Sequence, residues 1–544
     1  MHAHSRQPMS ICFSDNQISH LSISLKHFFL HSIHNLNTVN KSQHFVHSKY
    51  DISFNKCTPN KQHLYTNTAH KVHKYTNTVY KFPGFHTYSF PKMTRYHPET
   101  DFPEAWKILK PFMLSDDALV TIRNSMTREL LNGLGKDTHS RSSIPSWLSY
   151  VQQLPSGDER GRFLALEMWP SNCRIMLVKF SSENDIYMSS KCVIIPHTIA
   201  ASRGTILFNF LAQNIALFVK AKKVEKDNLP MGIAFAFDLN QLSLDVGILI
   251  RWTQGYGAQS AIGKNVVQLL RNALDEFKDI KINLNSIVNI STGSLMALAW
   301  SCPDCRIGLM VGLVTNAAYV EHVDACERFE EDTKRPLMIV NTDWGNFGSN
   351  GHLDFVRTEF DKIIDEQSNN PGMKYYEKCI SALNLGELVR LIVVRLIDMG
   401  VIFKGASMQS LRIRWKMEMK SILAIESDPP NVYIQAQKVM DKFGIHNCSE
   451  RDLATLRFIC KIVGIRSAKL VAAGLACLIN RMSYPRISIA VEGGVYRLYP
   501  TYQENLYKYT LMLTDPHNKF EIIASDDSPG VGAALVAGLA LSSK

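Results

Sequence analysis

The sequence predicts an α/β protein built as two successive lobes. Two observations carry this. Short runs rich in Val, Ile and aromatic residues alternate with segments whose apolar residues recur every three to four positions. The alternation also occurs twice, in two groups that meet near residue 292, which is the pattern of two α/β units with a cleft between them. At 544 residues, 45% hydrophobic and 20% charged, the chain has material for more than one core.

The elements follow in order. A helical pair opens the ordered part: 103–112, then a helix capped by Ser115, with Asp116 and Asp117 in its first turn, ending at Gly133. The β-prone runs 163–167 and 174–180 suit a hairpin. Further strands are expected at 192–196, 232–237, 248–252 and 287–290, separated by helical patterns at 204–220 and 264–277. The second group repeats the theme with strands at 306–312, 315–321 and 337–341. Helical patterns then run over 385–400, 406–424, 432–443, 449–463 and 467–482. Strand 486–491, helix 503–513, strand 521–524 and helix 530–542 close the chain.

The formal charge of +11 is unevenly placed. Residues 1–92 hold ten Lys/Arg against Asp15 and Asp51, a surplus of +8, which leaves only +3 for the other 452 residues. That balance points to no nucleic-acid partner. Residues 1–92 also hold twelve of the nineteen histidines and a repeat, Tyr65-Thr-Asn-Thr-Ala-His-Lys71 and Tyr75-Thr-Asn-Thr-Val-Tyr-Lys81. Without periodic apolar faces this stretch reads as a disordered extension, and Met93 is a candidate start of the natural protein. The eleven cysteines are scattered, which favours a reducing, cytoplasmic compartment. Cys302 and Cys305 lack a second ligand pair and read as a turn before a strand; no metal site is expected. No wholly apolar run reaches the ~20 residues that span a bilayer, so no membrane insertion is expected.

Several motifs, in order, carry a resemblance. Asn341-Thr-Asp-Trp-Gly-Asn-Phe-Gly348 is similar to NTEWGAFG of the animal and yeast hexokinases, and Arg357-Thr-Glu-Phe-Asp361 follows at that family's spacing. Asn370-Pro-Gly372, Tyr376-Glu-Lys378 and Leu385-Gly-Glu-Leu-Val-Arg390 resemble its NPG…EK…LGE-VR segment. Trp252-Thr-Gln-Gly255 looks like its WTKG, and Val491-Glu-Gly-Gly-Val-Tyr-Arg-Leu-Tyr-Pro500 like its adenosine segment. The likeness runs from about Glu104 to the C-terminus. It implies a two-lobed actin-like ATPase, ribonuclease H-like fold, with a smaller lobe over 104–292 and a larger one over 293–544 whose last helix packs back on the smaller. The reaction it implies is phosphoryl transfer from Mg-ATP to the 6-hydroxyl of a hexose, which requires positioning, charge neutralisation and a base near the attacking hydroxyl.

The departures fall on those requirements. The family's VNDTVGT resembles Val288-Asn-Ile-Ser-Thr-Gly-Ser294, so Ile290 stands where the aspartate base belongs. Loss of a general base typically costs ~10²–10⁴ in rate. DLGGTNFR resembles Glu167-Met-Trp-Pro-Ser-Asn-Cys-Arg174. Its two phosphate-cradling glycines become Trp169, which adds bulk, and Pro170, which removes a donor. GTGSN becomes Gly312-Leu-Val-Thr-Asn316, and SEDGSGKGAA becomes Ser525-Asp-Asp-Ser-Pro-Gly-Val-Gly-Ala-Ala534. The nucleotide-facing residues the resemblance still supplies are Ser171, Asn172, Arg174, Gly312, Thr315, Gly530 and Gly532, and binding of Mg-ATP is expected to be weakened.

The sugar-facing residues by resemblance are Thr253, Asn289, Asn316, Asp343, which replaces a glutamate, and Glu377. Ala236 replaces a serine and Gln254 a lysine. Asp238 stands where the family has proline and reads as a solvated loop aspartate rather than a displaced base. Three readings stay open: a catalytically impaired homologue with a weak or altered hexose site, an active hexose phosphotransferase with a rerouted site, and a structural or relic protein without ligand.

Overall fold

The computed structural model describes residues 70–71 and 98–542, apart from 182–184, 254–255 and 526–528. The expectation of disorder over 1–92 lies outside the described residues except at His70–Lys71, which pair with Met188 and Tyr187 at one sheet edge.

Two sheets share one plan. In the first, Gly161–Met168, Asn172–Phe180 and Ile186–Ile194 form an antiparallel meander. Leu229–Phe235 then pairs parallel to the first of these, and Ile282–Asn289 parallel to Leu229–Phe235. In the second, Cys305–Val311, Thr315–His322 and Leu337–Asn341 form the meander. Arg486–Glu492 and Lys519–Ala524 add the two parallel strands in the same places. The chain therefore builds one supersecondary unit twice.

The helix after the last parallel strand of each unit ties the two together. Ile290–Ser301 lies against the second sheet and Pro529–Ser542 against the first. Glycines permit the contact: a Cβ on Gly308 would lie 2.0 Å from the Ser291 carbonyl oxygen, and one on Gly232 would lie 2.1 Å from that of Ala533. Where the helices cross, a Cβ on Gly532 would meet the Gly293 carbonyl oxygen at 1.9 Å. No side chain fits at such distances. Ile290–Ser301 is buried along nearly its whole length, and its all-round apolar sequence hid the 3.6-residue rhythm by which helices are recognised.

Three expectations need correction. The leading helices, placed with the 104–292 lobe, pack in the core of the second: Leu119, Ile122 and Met126 of Asp116–Leu134 share a cluster with Leu470 and Leu475. Ser115 caps that helix, its hydroxyl accepting the Ala118 N–H at 3.2 Å. The helical pattern at 406–424 forms a helix only over Met419–Glu426. Upstream, side chains from Ala382–Asp398 satisfy the backbone instead, with Arg390 donating to the Leu411 carbonyl and Glu387 accepting from Trp415 N–H. The patterns at 449–463 and 467–482 are one 33-residue helix, Glu450–Met482. Gly464 does not break it; a Cβ there would collide with the Tyr499 ring at 2.2 Å. Length and composition would let this helix cross a membrane, but it is buried in the second lobe.

Candidate active site

The cleft between the lobes gathers side chains from the ends of several strands. Asn289, the last residue of Ile282–Asn289, caps helix Ile290–Ser301, its Oδ1 accepting the Ser291 N–H at 2.9 Å. The same oxygen accepts from Asn316 Nδ2 at 3.2 Å, and that amide also donates to Asn341 Oδ1 at 2.7 Å. Three asparagines from both lobes thus form one polar group. Glu377 lies beside them, its Oε2 accepting the Thr315 N–H at 3.2 Å, and burial raises its carboxyl above the usual range despite the Lys374 ammonium. Asp343 sits in a left-handed turn, φ 49°, and accepts from Lys374 at 2.9 Å and Asn346 at 2.8 Å. Burial raises its pKa too, with Asp238 adding to the rise and Lys374 opposing it. Of the sugar-facing set, Asn289 and Asn316 bond directly to each other, while Glu377 binds the Thr315 N–H and Asp343 binds Lys374 and Asn346. Thr253 stands half-buried just past the Val246–Arg251 strand, its carbonyl taking the Tyr256 N–H at 3.5 Å. Gln254 lies outside the described residues.

Asp238 is not the solvated loop residue its position suggested. It opens the Asp238–Ser243 strand, opposite Arg251 in the hairpin, and its side chain is 11% exposed. Arg251 Nε lies 2.5 Å from Oδ2 and Lys374 Nζ 3.3 Å from Oδ1. Burial pushes its carboxyl up, but these two cations outweigh it and hold it below the ordinary value. Sequence reasoning missed Arg251, Lys374 and Asn341. The hairpin register was the available signal, since it sets Asp238 opposite Arg251.

The phosphoryl side is apolar. Ile290 is the first residue of its helix and 4% exposed. It belongs to one hydrophobic cluster with Val288, Leu295 and Met296, against which Trp169, Ala236 and Val314 pack. Four sites of departure thus belong to or border one apolar cluster. The turns that would cradle phosphate hold their N–H groups internally. Trp169 N–H donates to the Asn172 carbonyl at 2.9 Å, Gly312 N–H to that of Val314 at 3.0 Å, and Gly530 N–H to Glu167 Oε1 at 2.7 Å. Pro170 has none. These three amides are taken up within the protein, at segments where the resemblance places contacts to a nucleotide's phosphates.

Three nucleotide candidates have other roles. The buried Thr315 hydroxyl donates to the Met310 carbonyl and accepts from Trp344 Nε1, so it supports the strand turn. Gly530 and Gly532 serve close packing, the first against Glu167 and Met176, the second against Gly293. Ser171, Asn172 and Arg174 remain at the hairpin turn and its exit. Asn172 donates to the Ser171 hydroxyl, and Arg174 reaches Glu167 at 3.9 Å. Among the described residues, the buried Ser291 and Thr292 hydroxyls at the helix start have no hydrogen-bond partner.

Models of the hexokinase family match residues 104–300 and 306–539. The chain is 57% identical over 449 residues to hexokinase type 1 of Drosophila melanogaster, covering 82% of this chain and 97% of that one. The chain belongs to the hexokinase family. It is also 34% identical over 442 residues to human hexokinase-1, a match that covers 80% of this chain but spans about half (48%) of that relative. Among solved structures, the hexokinase of Schistosoma mansoni, determined as a complex with glucose, superposes with a TM-score of 0.77 at 32% identity, over 82% of this chain and all of that one. The hexokinase fold accounts for the doubled sheets and the crossed helices. The apolar patch at Ile290 and the ion pairs around Lys374 are read from this chain's own side chains.

Proposed function

We propose that this hexokinase-family chain recognises a hexose in the cleft but transfers phosphoryl groups poorly, acting as a sugar-binding or regulatory homologue. One observation carries the reading: Ile290 lies in an apolar cluster against which Trp169, Ala236 and Val314 pack, at positions to which the resemblance assigns the base, sugar and phosphate contacts. The Asn289, Asn316 and Asn341 group on the sugar side stays polar and bonded. An isoleucine has no acceptor for the hydroxyl proton, so the step that needs a base has none at that position. The internally bonded turn amides support weakened nucleotide binding as well. Mg-ATP would supply the transferred phosphoryl group and its charge neutralisation, and the apolar, internally bonded segments present fit it poorly. We place the chain in a reducing, cytoplasmic compartment, since the nine cysteines among the described residues are all free.

A second reading, a working hexose phosphotransferase, is favoured by the 57% identity to a curated hexokinase and by the unpartnered Ser291 and Thr292 hydroxyls beside the site. A coupled assay of glucose phosphorylation with purified protein, run beside calorimetry with glucose, separates the two. Glucose binding with turnover at least ~10²-fold below an ordinary hexokinase is expected. Turnover at an ordinary rate would establish the second reading, and no glucose binding would end the first.

A further inference from the structure

The two lobes are joined across the cleft by charge. The first lobe contributes Asp238 and Arg251, paired across the hairpin; the second contributes Lys374 and Asp343. The Lys374 ammonium lies 3.3 Å from Asp238 and 2.9 Å from Asp343, and only 7% of the residue is exposed. Arg251 also reaches the Met373 sulfur at 3.5 Å. Lys374 holds a left-handed backbone, φ 55°, immediately before helix Tyr375–Ile380. Lysine rarely adopts that conformation, and turning its long side chain inward forfeits rotamer freedom and hydration. Two carboxylates at contact distance offset those losses. The Lys374 ammonium thereby occupies one oxygen of Asp343, and Asn346 takes the other. Asp343 is the acceptor that the family resemblance assigns to a sugar hydroxyl.

We propose that Lys374 sets the hexose affinity of this chain: its ammonium holds the Asp343 carboxylate that a hexose hydroxyl would use, and pins the first-lobe hairpin to the second lobe through Asp238, so that sugar must displace an internal ion pair. This rests on the cleft being a hexose site. A neutral hydroxyl cannot replace a full charge between two buried carboxylates, so the sugar competes at a disadvantage.

The test uses the full chain, its Lys374→Gln and Asp238→Asn variants, calorimetry with glucose, and small-angle scattering without sugar. Lys374→Gln is expected to bind glucose about tenfold tighter or more and to show a larger radius of gyration as the lobes part. Asp238→Asn is expected to do the same to a smaller degree, because Lys374 keeps Asp343. A thermal melt checks that each variant folds, and Asp238→Asn carries the test alone if Lys374→Gln does not. Equal glucose affinity and an unchanged radius in all three proteins overturn the proposal and leave the hexose site standing. Weaker binding by Lys374→Gln overturns it by making Lys374 a sugar ligand. Absence of glucose binding in all three overturns it through the hexose reading, and that failure is recognised by a radius that still grows in the variants.

Discussion

Asn289 and Ile290 are consecutive residues at one helix start, yet they belong to opposite surfaces. Asn289 caps the helix and accepts from Asn316 of the other lobe. Ile290 turns into an apolar cluster with Val288 and Leu295, against which Trp169, Ala236 and Val314 pack. On the first surface the asparagine side chains bond to one another across the lobes; on the second, the side chains named are apolar. The difference follows from the cost of isolation. A polar group left alone in an apolar site costs about 1–3 kcal/mol, so an apolar side chain at Ile290 and apolar neighbours at Ala236 and Val314 suit one another.

The sharpest way to break that comparison is Ile290→Asp. The helix N-terminus favours the new carboxylate by about 0.3–1 kcal/mol. Burial without a cation and the loss of apolar contact oppose it by several kcal/mol, so burial wins. We expect a net destabilisation of about 2–4 kcal/mol near pH 8, read from urea unfolding, and no recovery of turnover from this change alone. Recovery of turnover by the single variant would show that the phosphate side is intact and that the two surfaces are not coupled.

Glu426 offers a calibration in the same chain. It is buried in the second lobe, its Oε1 has no partner, and burial pushes its carboxyl up to about 7 against the opposing pull of Arg457 and Lys461. Because the folded pKa lies above the unfolded one, the native state holds the proton more tightly. Its contribution is fully present below about pH 4.5 and is lost as pH rises through about 7. Glu426→Gln should therefore stabilise the protein by on the order of 2–3 kcal/mol at pH 8, with little change at pH 4.5. A matching pH dependence in Ile290→Asp, whose penalty should shrink in acid, would confirm that its defect is an unpaired buried carboxylate. A flat difference between pH 4.5 and 8 would contradict both.

The fold was legible in the sequence because strand runs such as 315–321 and 337–341 carry their burial pattern locally, and Ser115 announces a helix with its own side chain. Helix Ile290–Ser301 escaped because a helix buried on all sides shows no amphipathic rhythm. Helix Glu450–Met482 was read as two pieces because the requirement for Gly464 lies in the Tyr499 ring, 35 positions downstream. The family motifs pointed to Asn289, Asn316, Asp343 and Glu377, whose hydrogen bonds the structure then supplies. They could not assign Thr315, whose hydroxyl is taken by Met310 and Trp344, nor foresee the burial of Asp238, because both depend on what other segments bring to them. Trp344 and Lys374, far from these residues in sequence, complete the two arrangements.

The smallest expected effect tests the polar surface alone. Asn289→Ala removes the oxygen that accepts the Ser291 N–H and the Asn316 amide, so it should cost about 1 kcal/mol as a lost cap, with a further loss for the unpaired amide. Asn289→Ser separates these roles. A serine is a good cap, so stability should return to within about 0.5 kcal/mol of the parent. Its shorter side chain cannot also hold Asn316, which still has Asn341 at 2.7 Å but loses its partner on the first lobe. Glucose affinity, measured by calorimetry, should therefore fall below the parent's in Asn289→Ala and remain reduced in Asn289→Ser although stability recovers. If affinity recovers along with stability, the Asn289–Asn316 bridge is only a support for the helix start, and the polar surface owes its sugar recognition to Asp343 and Glu377.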